Sequence, residues 1–194
     1  MIAPADPIAR IRALIKQAET KGAPQPVAMA LATADSDGNP SVRMVLLRGI
    51  DERGLVFYTN SLSRKGRELS ARRSVALCFY WPLLDEQVRV EGEVDDVSDE
   101  EADAYWRSRP RGSQLASAAS RQSALLPDRA VYEQAVRDLD ALLDGAEVPR
   151  PAEWKGYRVA PQRVEFWHEG PNRMHTRALY TRSENGWSTS ALYP

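Results

Sequence analysis

The sequence predicts a mainly β fold with appended helices (α+β), built around an antiparallel barrel. About eight short apolar or alternating runs are bounded by turn residues, and helical periodicity is confined to the start, the middle and the two-thirds point of the chain. Because strands and helices do not alternate regularly, a doubly wound parallel sheet is disfavoured. The 194 residues suit one domain, 1–194, in which 1–22 form an N-terminal helical segment and 157–194 are closing strands of the same domain.

Composition limits the possible partners. The 26 basic and 27 acidic residues give a net charge of -1, which provides no general field for nucleic acid or an anionic membrane. The single cysteine, Cys78, prevents a disulfide within the chain and favours a cytoplasmic location. One cysteine and two histidines are too few for a conventional zinc cluster, and no run of about 18 apolar residues is present. We therefore expect a soluble cytoplasmic protein without nucleic acid, membrane or metal.

The first helix is predicted from Asp6, an N-cap residue, and Pro7 in the first turn, and it ends before Gly22. Its apolar positions recur at helical spacing and are Ile8, Ile11, Leu14, Ile15 and Ala18. These positions predict an amphipathic helix that packs on the sheet.

Three apolar runs, 27–33, 42–47 and 55–58, are predicted to form an antiparallel meander. The turn residues at 51–54, Asp-Glu-Arg-Gly, favour a hairpin between the last two runs. After a short helix around 66–69, a second hairpin is expected from the strand-like runs 74–81 and 87–94. The second of these runs alternates between apolar and polar residues, so one of its faces is exposed to water or to a ligand.

Two further helices are predicted in the second half. Ser98-Asp99-Glu100-Glu101 is a capping box, and the helix that it begins stops at Arg109-Pro110. The stretch 111–123 is too polar for a core element and is either a mobile loop or a binding segment. A helix over 128–143 has one apolar face, formed by Val131, Ala135, Leu139 and Leu142.

Closing strands are predicted at 156–160, 163–168, 174–182 and 187–192. The last two strands are joined at Asn185-Gly186, a dipeptide typical of hairpin turns.

Two groups of residues could bind an anion. Hydroxyls and cations precede the short helix, namely Thr59, Ser61, Ser63, Arg64 and Lys65. Together with helical N–H groups, and with Arg43 from a neighbouring strand, they could hold a phosphate, although Arg64 and Lys65 could also simply solvate a loop. In a strand, Arg173, His175 and Arg177 would share one face, and Trp167 offers a flat surface for a ring. A histidine such as His175, taken alone, is more often an ordinary core or surface residue than a ligand-binding one.

Standard catalytic signatures are missing from the sequence. It contains no Gly-x-Gly-x-x-Gly after a strand, no Walker phosphate loop and no Gly-x-Ser-x-Gly. A nucleophilic Ser-His pair stays open because His168 and His175 are present, but nothing around either residue supports it.

Seven short motifs carry a family resemblance. They are Arg43-Met44-Val45-Leu46-Leu47, Phe57-Tyr58-Thr59-Asn60, Ser63-Arg64-Lys65, Ser108-Arg109-Pro110-Arg111-x-Ser113-Gln114, Arg121-Gln122-Ser123, Glu165-Phe166-Trp167 and Arg173-x-His175-x-Arg177. In order and spacing, over essentially the whole chain, the series resembles that of the pyridoxine/pyridoxamine 5′-phosphate oxidases. Each motif is weak alone, but seven in order are highly specific.

This resemblance implies an FMN-binding split barrel and a homodimer with two FMN sites at the subunit interface. It also implies oxidation of pyridoxine or pyridoxamine phosphate to pyridoxal phosphate, with O₂ reoxidising the flavin to give hydrogen peroxide. The FMN contacts carried over to one subunit are Arg43, Met44, Val45, Leu46, Leu47, Tyr58, Thr59, Arg64, Lys65 and Gln87. Those carried over to the other subunit are Gln122, Ser123, Trp167 and Arg177. The substrate phosphate would meet Tyr105, Arg109 and Ser113. Arg173 and His175 would lie over the pyridine ring, orient the substrate and assist the loss of its amine or hydroxyl proton, with one of the two as general base.

Departures from the family pattern lie on the substrate side. Arg48 replaces a usual lysine to the substrate phosphate, Gly112 replaces an aspartate, Leu115-Ala116-Ser117 replaces an Ile-Gly-Ala-Trp beginning, and Thr176 stands in place of an acidic residue. The chain also resembles, more distantly, the FMN-dependent oxidases of phenazine biosynthesis, which bind a tricyclic carboxylate. A third interpretation is a flavin-binding or pyridoxal-phosphate-binding protein without turnover.

Overall fold

The computed structural model describes residues 6–194, and residues 1–5 of the predicted N-terminal segment lie outside this range. Nine strands form one antiparallel sheet: β1 Ala28–Ala34, β2 Pro40–Leu46, β3 Gly49–Asp51, β4 Gly54–Asn60, β5 Ser74–Trp81, β6 Glu86–Asp96, β7 Trp154–His168, β8 Thr176–Ser183 and β9 Gly186–Leu192. The helices are α1 Pro7–Thr20, α2 Arg64–Ala71, α3 Asp99–Ser108, α4 Arg111–Ala119 and α5 Arg129–Leu143. Short 3₁₀ turns cover Pro82–Leu84 and Pro171–Arg173.

The long strand β7 divides the sheet. The strand order is β2-β1-β5-β6-β7-β4-β3. Off this path, β8 pairs with both β7 and β9. β4 pairs with the first half of β7, from Trp154 to Val159, whereas β8 pairs with the second half, from Arg163 to His168. The sheet therefore branches at β7 into the curled half-barrel of a split-barrel fold, which confirms the predicted fold class.

The first helix forms as predicted. The carboxylate of Asp6 accepts hydrogen bonds from the main-chain N–H groups of Ile8 (2.9 Å) and Ala9 (3.3 Å). The five predicted apolar positions are all buried, and they join the main core with residues such as Phe57 and Phe166. Burial of this face holds α1 against the sheet.

The predicted hairpin between 42–47 and 55–58 is wrong. β2 pairs with β1 at the edge of the sheet, and the hairpin partner of β4 is the short strand β3. The chain turns away after Leu46, and the main-chain N–H of Arg48 then bonds to Val56 O (2.8 Å) to begin the new ladder. The hairpin of β5 with β6 is confirmed, from Ser74 opposite Glu93 to Trp81 opposite Glu86.

The polar stretch 111–123, which was expected to be a loop or a binding segment, contains the helix α4. Its Gln114 and Leu115 are buried beside Trp106, and the side chain of Arg111 bonds to Asp140 of α5 (2.8 Å). Helix α3 is capped by Ser98 as predicted, since its hydroxyl accepts from Glu101 N (3.2 Å).

The predicted helix over 128–143 exists as α5, but its apolar face is wrong. Leu142 is 81% exposed and Val131 is 52% exposed. The side that packs inward carries Val136, Leu139 and Leu143. Both faces contain apolar residues, so the periodicity alone could not choose between them.

The predicted strands 156–160 and 163–168 are one continuous strand, β7, which shifts register against β6 at Glu91/Gly92. The Asn185-Gly186 hairpin is confirmed, with Gly186 at a φ of 115°. The predicted strand 174–182 begins only at Thr176, because a 3₁₀ turn occupies Pro171–Arg173 and Arg173 has a φ of 63°. Arg173, His175 and Arg177 therefore do not share the face of one strand.

Within residues 6–194, no helix is long and apolar enough to cross a membrane. The same residues contain no group of three or more histidine, cysteine or acidic side chains placed to hold a metal ion.

Candidate active site

A buried lysine lies at the start of α2. Lys65 is 9% exposed, and its Nζ donates to Thr59 Oγ1 (2.9 Å), Ser63 Oγ (3.0 Å) and Gln122 Oε1 (2.7 Å). Burial, together with the nearby charge of Arg43, lowers the pKa of Lys65 to about 8, although the charge of Glu68 opposes the shift. Its hydrogen-bond partners are neutral oxygens, so the ammonium is well placed to bind an added anion.

Two serine side chains hold the main chain around this lysine. Ser63 caps α2 by accepting from Gly66 N (3.2 Å), and a Cβ at Gly66 would lie 2.2 Å from Ser61 O, so this turn requires glycine. The main-chain N–H of Arg64 donates to Ser123 Oγ (3.1 Å). The first turn of a helix is favourable for a phosphate because its N–H groups point outward.

The Lys65 cluster, which we define as Thr59, Ser63, Arg64, Lys65, Gln122 and Ser123, is thus formed within one chain. The family resemblance implies that Gln122 and Ser123 come from the opposite subunit to Thr59 and Lys65. The contacts Gln122–Lys65 and Ser123–Arg64 instead place them on the same chain. The proximity of Gln122 to Lys65 could not be predicted from the sequence, because the two residues are 57 positions apart and meet only through the path of the chain after α4.

Glu68, which the sequence reasoning did not single out, organises two arginines of the predicted site. Its Oε2 accepts from Arg43 (3.0 Å), Ser41 (2.6 Å) and Thr33 (2.5 Å), and its Oε1 accepts from Arg64 (2.8 Å). Burial raises the pKa of Glu68, but hydrogen bonds from these four side chains outweigh burial and lower the pKa to about 2. The four-residue spacing from Arg64 was the available signal for this ion pair.

The segment Arg43–Leu47 lies at and just beyond the edge strand β2. Met44 is 63% exposed, Val45 packs against the main core, and Leu47 is buried. Side chains along β2 therefore alternate between the solvent side and the core side of the edge strand.

An aromatic stack lies beside the Lys65 cluster. Tyr58 stacks on Tyr105 with ring centroids 4.2 Å apart, and on Trp154 at 5.0 Å. The structure therefore brings together two residues predicted for different ligands, Tyr58 for FMN and Tyr105 for the substrate. Trp154, which the sequence reasoning missed, joins them.

Arg109 packs against this stack and has spare hydrogen-bonding capacity. Its guanidinium carbon lies 5.0 Å from the ring centroids of both Trp106 and Trp154, and its Nη2 donates to Ser117 Oγ (2.9 Å). Its Nη1 is buried and has no hydrogen-bond partner among the described residues. Burial lowers the pKa of Arg109, and the charge of Arg48 acts in the same direction. Ser113 is exposed in the first turn of α4, where its main-chain N–H bonds to Pro110 O (2.8 Å).

The remaining predicted residues form a second group, the Trp167 cluster, consisting of Gln87, Trp167, His175 and Arg177. In the sheet, Trp167 lies opposite Gln87 of β6 and Arg177 of β8, and its ring is 4.6 Å from that of His175. Arg177 Nε donates to Glu165 Oε1 (2.8 Å), which raises the pKa of Arg177 despite partial burial. Arg173 is exposed in the turn that precedes His175.

The two clusters lie at opposite ends of β7. The Lys65 cluster and the aromatic stack adjoin Trp154, its first residue, whereas Trp167 is next to its last residue, His168. At about 3.3 Å per residue, roughly 40 Å of strand separates them. Gln87, which had been assigned to the same subunit as Lys65, belongs to the distant cluster within this chain.

Comparison with known families gives two adjoining matches. Residues 14–142 match the pyridoxamine 5′-phosphate oxidase family, and residues 154–194 match the pyridoxine 5′-phosphate oxidase C-terminal dimerisation region.

Individual relatives match over nearly the full chain. A pyridoxine/pyridoxamine 5′-phosphate oxidase from Anaeromyxobacter dehalogenans is 54% identical over 97% of this chain and 96% of the relative. One from Gluconobacter oxydans is 52% identical over 98% of this chain and 95% of the relative.

Among solved structures, PhzG from Burkholderia lata 383, in complex with tetrahydrophenazine-1-carboxylic acid, has a TM-score of 0.94. It is 36% identical, over 100% of this chain and 95% of that one. An FMN-binding protein related to pyridoxamine 5′-phosphate oxidase, from Nostoc punctiforme, has a TM-score of 0.78 at 19% identity, over the full length of both chains. The latter likeness concerns the fold alone.

Proposed function

The chain belongs to the pyridoxine/pyridoxamine 5′-phosphate oxidase family, whose members are FMN-dependent oxidoreductases, and we propose on this premise how its residues serve that reaction. The chain is an enzyme of this class, and it converts pyridoxine or pyridoxamine 5′-phosphate to pyridoxal 5′-phosphate. The observation that carries the residue assignment is the buried Lys65, whose ammonium donates, within residues 6–194, to neutral oxygens alone.

The Lys65 cluster fits the phosphate of FMN. Lys65 supplies a charge, the hydroxyls of Thr59 and Ser63 surround it, and the positive end of α2 lies beside them. Arg43 and Arg64, both held by Glu68, add positive charge at the rim. The proposed flavin contacts also include Met44 to Leu47 and Tyr58.

When bound, FMN accepts the two electrons and the hydrogen that leave the C4′ carbon of the substrate. We propose O₂ as the final oxidant. For the amine substrate, the amine, O₂ and water then give the aldehyde, ammonia and hydrogen peroxide. For the alcohol substrate, the alcohol and O₂ give the aldehyde and hydrogen peroxide.

Arg109 fits the substrate phosphate. Its unpartnered Nη1 is buried and oriented by packing on Trp106 and Trp154, so a phosphate oxygen would satisfy a donor that otherwise has none. Arg48 supplies a second guanidinium, whose charge acts on Arg109. Tyr105 and Ser113 complete the proposed phosphate contacts.

The active site requires two copies of the chain. Because the Lys65 and Trp167 clusters lie at opposite ends of β7, we propose that one copy supplies the first cluster and its partner supplies Gln87, Trp167, Arg173, His175 and Arg177. The C-terminal dimerisation region supports a homodimer. Val42 and Met44, 68% and 63% exposed on the edge strand β2, provide apolar surface for such an interface.

We propose that residues 14–142 and 154–194 act as one domain, since strands from both regions belong to one sheet. A cytoplasmic location is likewise proposed, and the single cysteine supports it.

Oxidation of a tricyclic carboxylate, as in the phenazine-type oxidases, is the second candidate. The TM-score of 0.94 to PhzG and the substrate-side differences at Arg48, Gly112 and Thr176 favour it. The higher identity to the vitamer oxidases, 54% against 36%, favours the first function.

The deciding experiment is an aerobic assay of the FMN-loaded protein with pyridoxine phosphate and pyridoxamine phosphate, in which pyridoxal phosphate and peroxide are followed together. Equal amounts of both products support the vitamer oxidase. A yellow protein that forms neither product, but oxidises a reduced phenazine carboxylate, supports the second candidate. A yellow protein that is inactive on both substrates supports a binding function without turnover.

A further inference from the structure

The loop between β7 and β8, residues 169–175, fixes the orientation of His175. The main-chain N–H of Gly170 donates to His175 Nδ1 at 3.2 Å. The loop is also closed by hydrogen bonds from Glu169 N to Asp85 O (2.9 Å) and from Met174 N to Pro171 O (3.0 Å). A Cβ at position 170 would lie 2.1 Å from Met174 O, so the loop can close in this way only with glycine there.

This hydrogen bond determines where the imidazole carries its proton. A neutral imidazole has one protonated nitrogen and one nitrogen that accepts. Since Nδ1 accepts from Gly170, the proton must be on Nε2, at the opposite edge of the ring. The Trp167 ring, 4.6 Å away and tilted by 43°, restricts rotation of the imidazole.

We propose that Gly170 holds His175 as the Nε2–H tautomer, so that His175 donates a hydrogen bond to the substrate and does not accept its proton. Gly170 is then a positioning residue that acts through His175. Arg173 also presents only donors, because a guanidinium has no accepting nitrogen. This replaces the expectation that one of these two residues is a general base. The identity of the hydrogen-bonded substrate rests on the proposed function, whereas the tautomer does not.

The tautomer can be observed directly by ¹⁵N NMR of the FMN-loaded protein labelled only at histidine. The chain has two histidines, and His168→Gln leaves His175 as the only signal while keeping a hydrogen-bonding group near Glu86. The pH is raised until the signals stop moving, so that the neutral ring is observed. We expect Nδ1 to show the shift of an unprotonated nitrogen and Nε2 that of a protonated one. A protonated Nδ1, or averaged shifts from two exchanging tautomers, would overturn the proposal.

Two substitutions test the donor role. In His175→Gln the amide nitrogen replaces Nε2 as a donor, whereas in His175→Asn the amide oxygen replaces Nδ1 as the acceptor from Gly170. We expect the glutamine variant to keep a kcat/KM for pyridoxamine phosphate about tenfold above that of the asparagine variant. Equal loss in both variants, with FMN binding unchanged by fluorescence, would contradict a donor role. If no vitamer is oxidised at all, the NMR spectrum still decides the tautomer, so the two failures are distinguishable.

Discussion

The ammonium nitrogen of Lys65 lies 2.7 Å from the side-chain oxygen of Gln122, which reaches it from the segment between α4 and α5. This contact links the start of α2 to a part of the chain 57 residues later. A lysine that is buried among neutral oxygens is costly to keep charged, and an arriving phosphate would relieve that cost. The lysine should therefore respond to both pH and ligand.

We predict that FMN affinity falls as the pH rises above about 8. The pKa of Lys65 in the ligand-free protein is lowered to about 8, so above this pH the lysine is neutral and must take up a proton when it binds the phosphate. The affinity should weaken by up to about tenfold for each further pH unit, measured by quenching of flavin fluorescence.

Lys65→Arg is the matched control, because a guanidinium stays charged throughout this range. Its FMN affinity should be lower overall but should not show the decline above about pH 8. An equally steep decline in this variant would assign the pH dependence to another group.

Glu68→Gln should destabilise the protein by about 2–4 kcal/mol, because Arg43 and Arg64 lose their shared carboxylate in a buried site. In urea denaturation we expect a lower midpoint, with an unchanged slope of the unfolding free energy against urea concentration. Glu91→Gln, at an ion pair with about half-exposed arginines, is the control and should change stability by less than about 1 kcal/mol.

The lowered pKa of Glu68 predicts that the stabilisation by this residue depends on pH. The pKa of Glu68 is lowered to about 2 in the folded chain, below its ordinary value of 4.5. Its stabilisation is therefore fully present above about pH 4.5 and is lost as the pH falls toward about 2. The difference in unfolding free energy between the wild type and Glu68→Gln should shrink over that window. A constant difference would mean that the carboxylate charge is not what stabilises the fold.

Local sequence signals predicted local structure well. Asp6 and Ser98 cap the predicted helices, and Gly186 forms the predicted hairpin turn, because each signal acts within a few residues. The partner of β4 was not predictable in this way. Strand pairing depends on the whole sheet, and the three residues of β3 are too few to show a periodic pattern.

In the candidate site, too, the local features were predictable from the sequence and the long-range contacts were not. The cations at 64 and 65 and the flat ring of Trp167 were visible in the sequence, whereas the hydrogen bonds from Lys65 to Gln122 and from Arg43 to Glu68 join residues 57 and 25 positions apart. The strand face expected for Arg173 and His175 failed because Gly170 and Pro171 begin a turn there. Family resemblance supplied the roles of these residues, and the structure changed which of them lie together.

Arg109→Met should raise the KM for pyridoxamine 5′-phosphate by about 10- to 100-fold, because one charge-assisted contact to phosphate is lost. Unphosphorylated pyridoxamine, which cannot make this contact, should be turned over equally slowly by the variant and the wild type. Arg107→Ala, at an exposed position near the end of α3, two residues before Arg109, is the control. If both substrates suffered the same loss, Arg109 would act on the fold or on the flavin and not on the substrate phosphate.

The proposed division of the site between two chains predicts complementation. Lys65→Met damages the Lys65 cluster and Trp167→Ala damages the Trp167 cluster, so each homodimer should have little activity. A heterodimer of the two variants, isolated with two different affinity tags, contains one site in which both lesions meet and one site with none. We expect it to recover about half of the wild-type activity per dimer in the pyridoxal phosphate assay. If each site were built from one chain, every site of the heterodimer would keep one lesion and its activity would stay at the level of the parents.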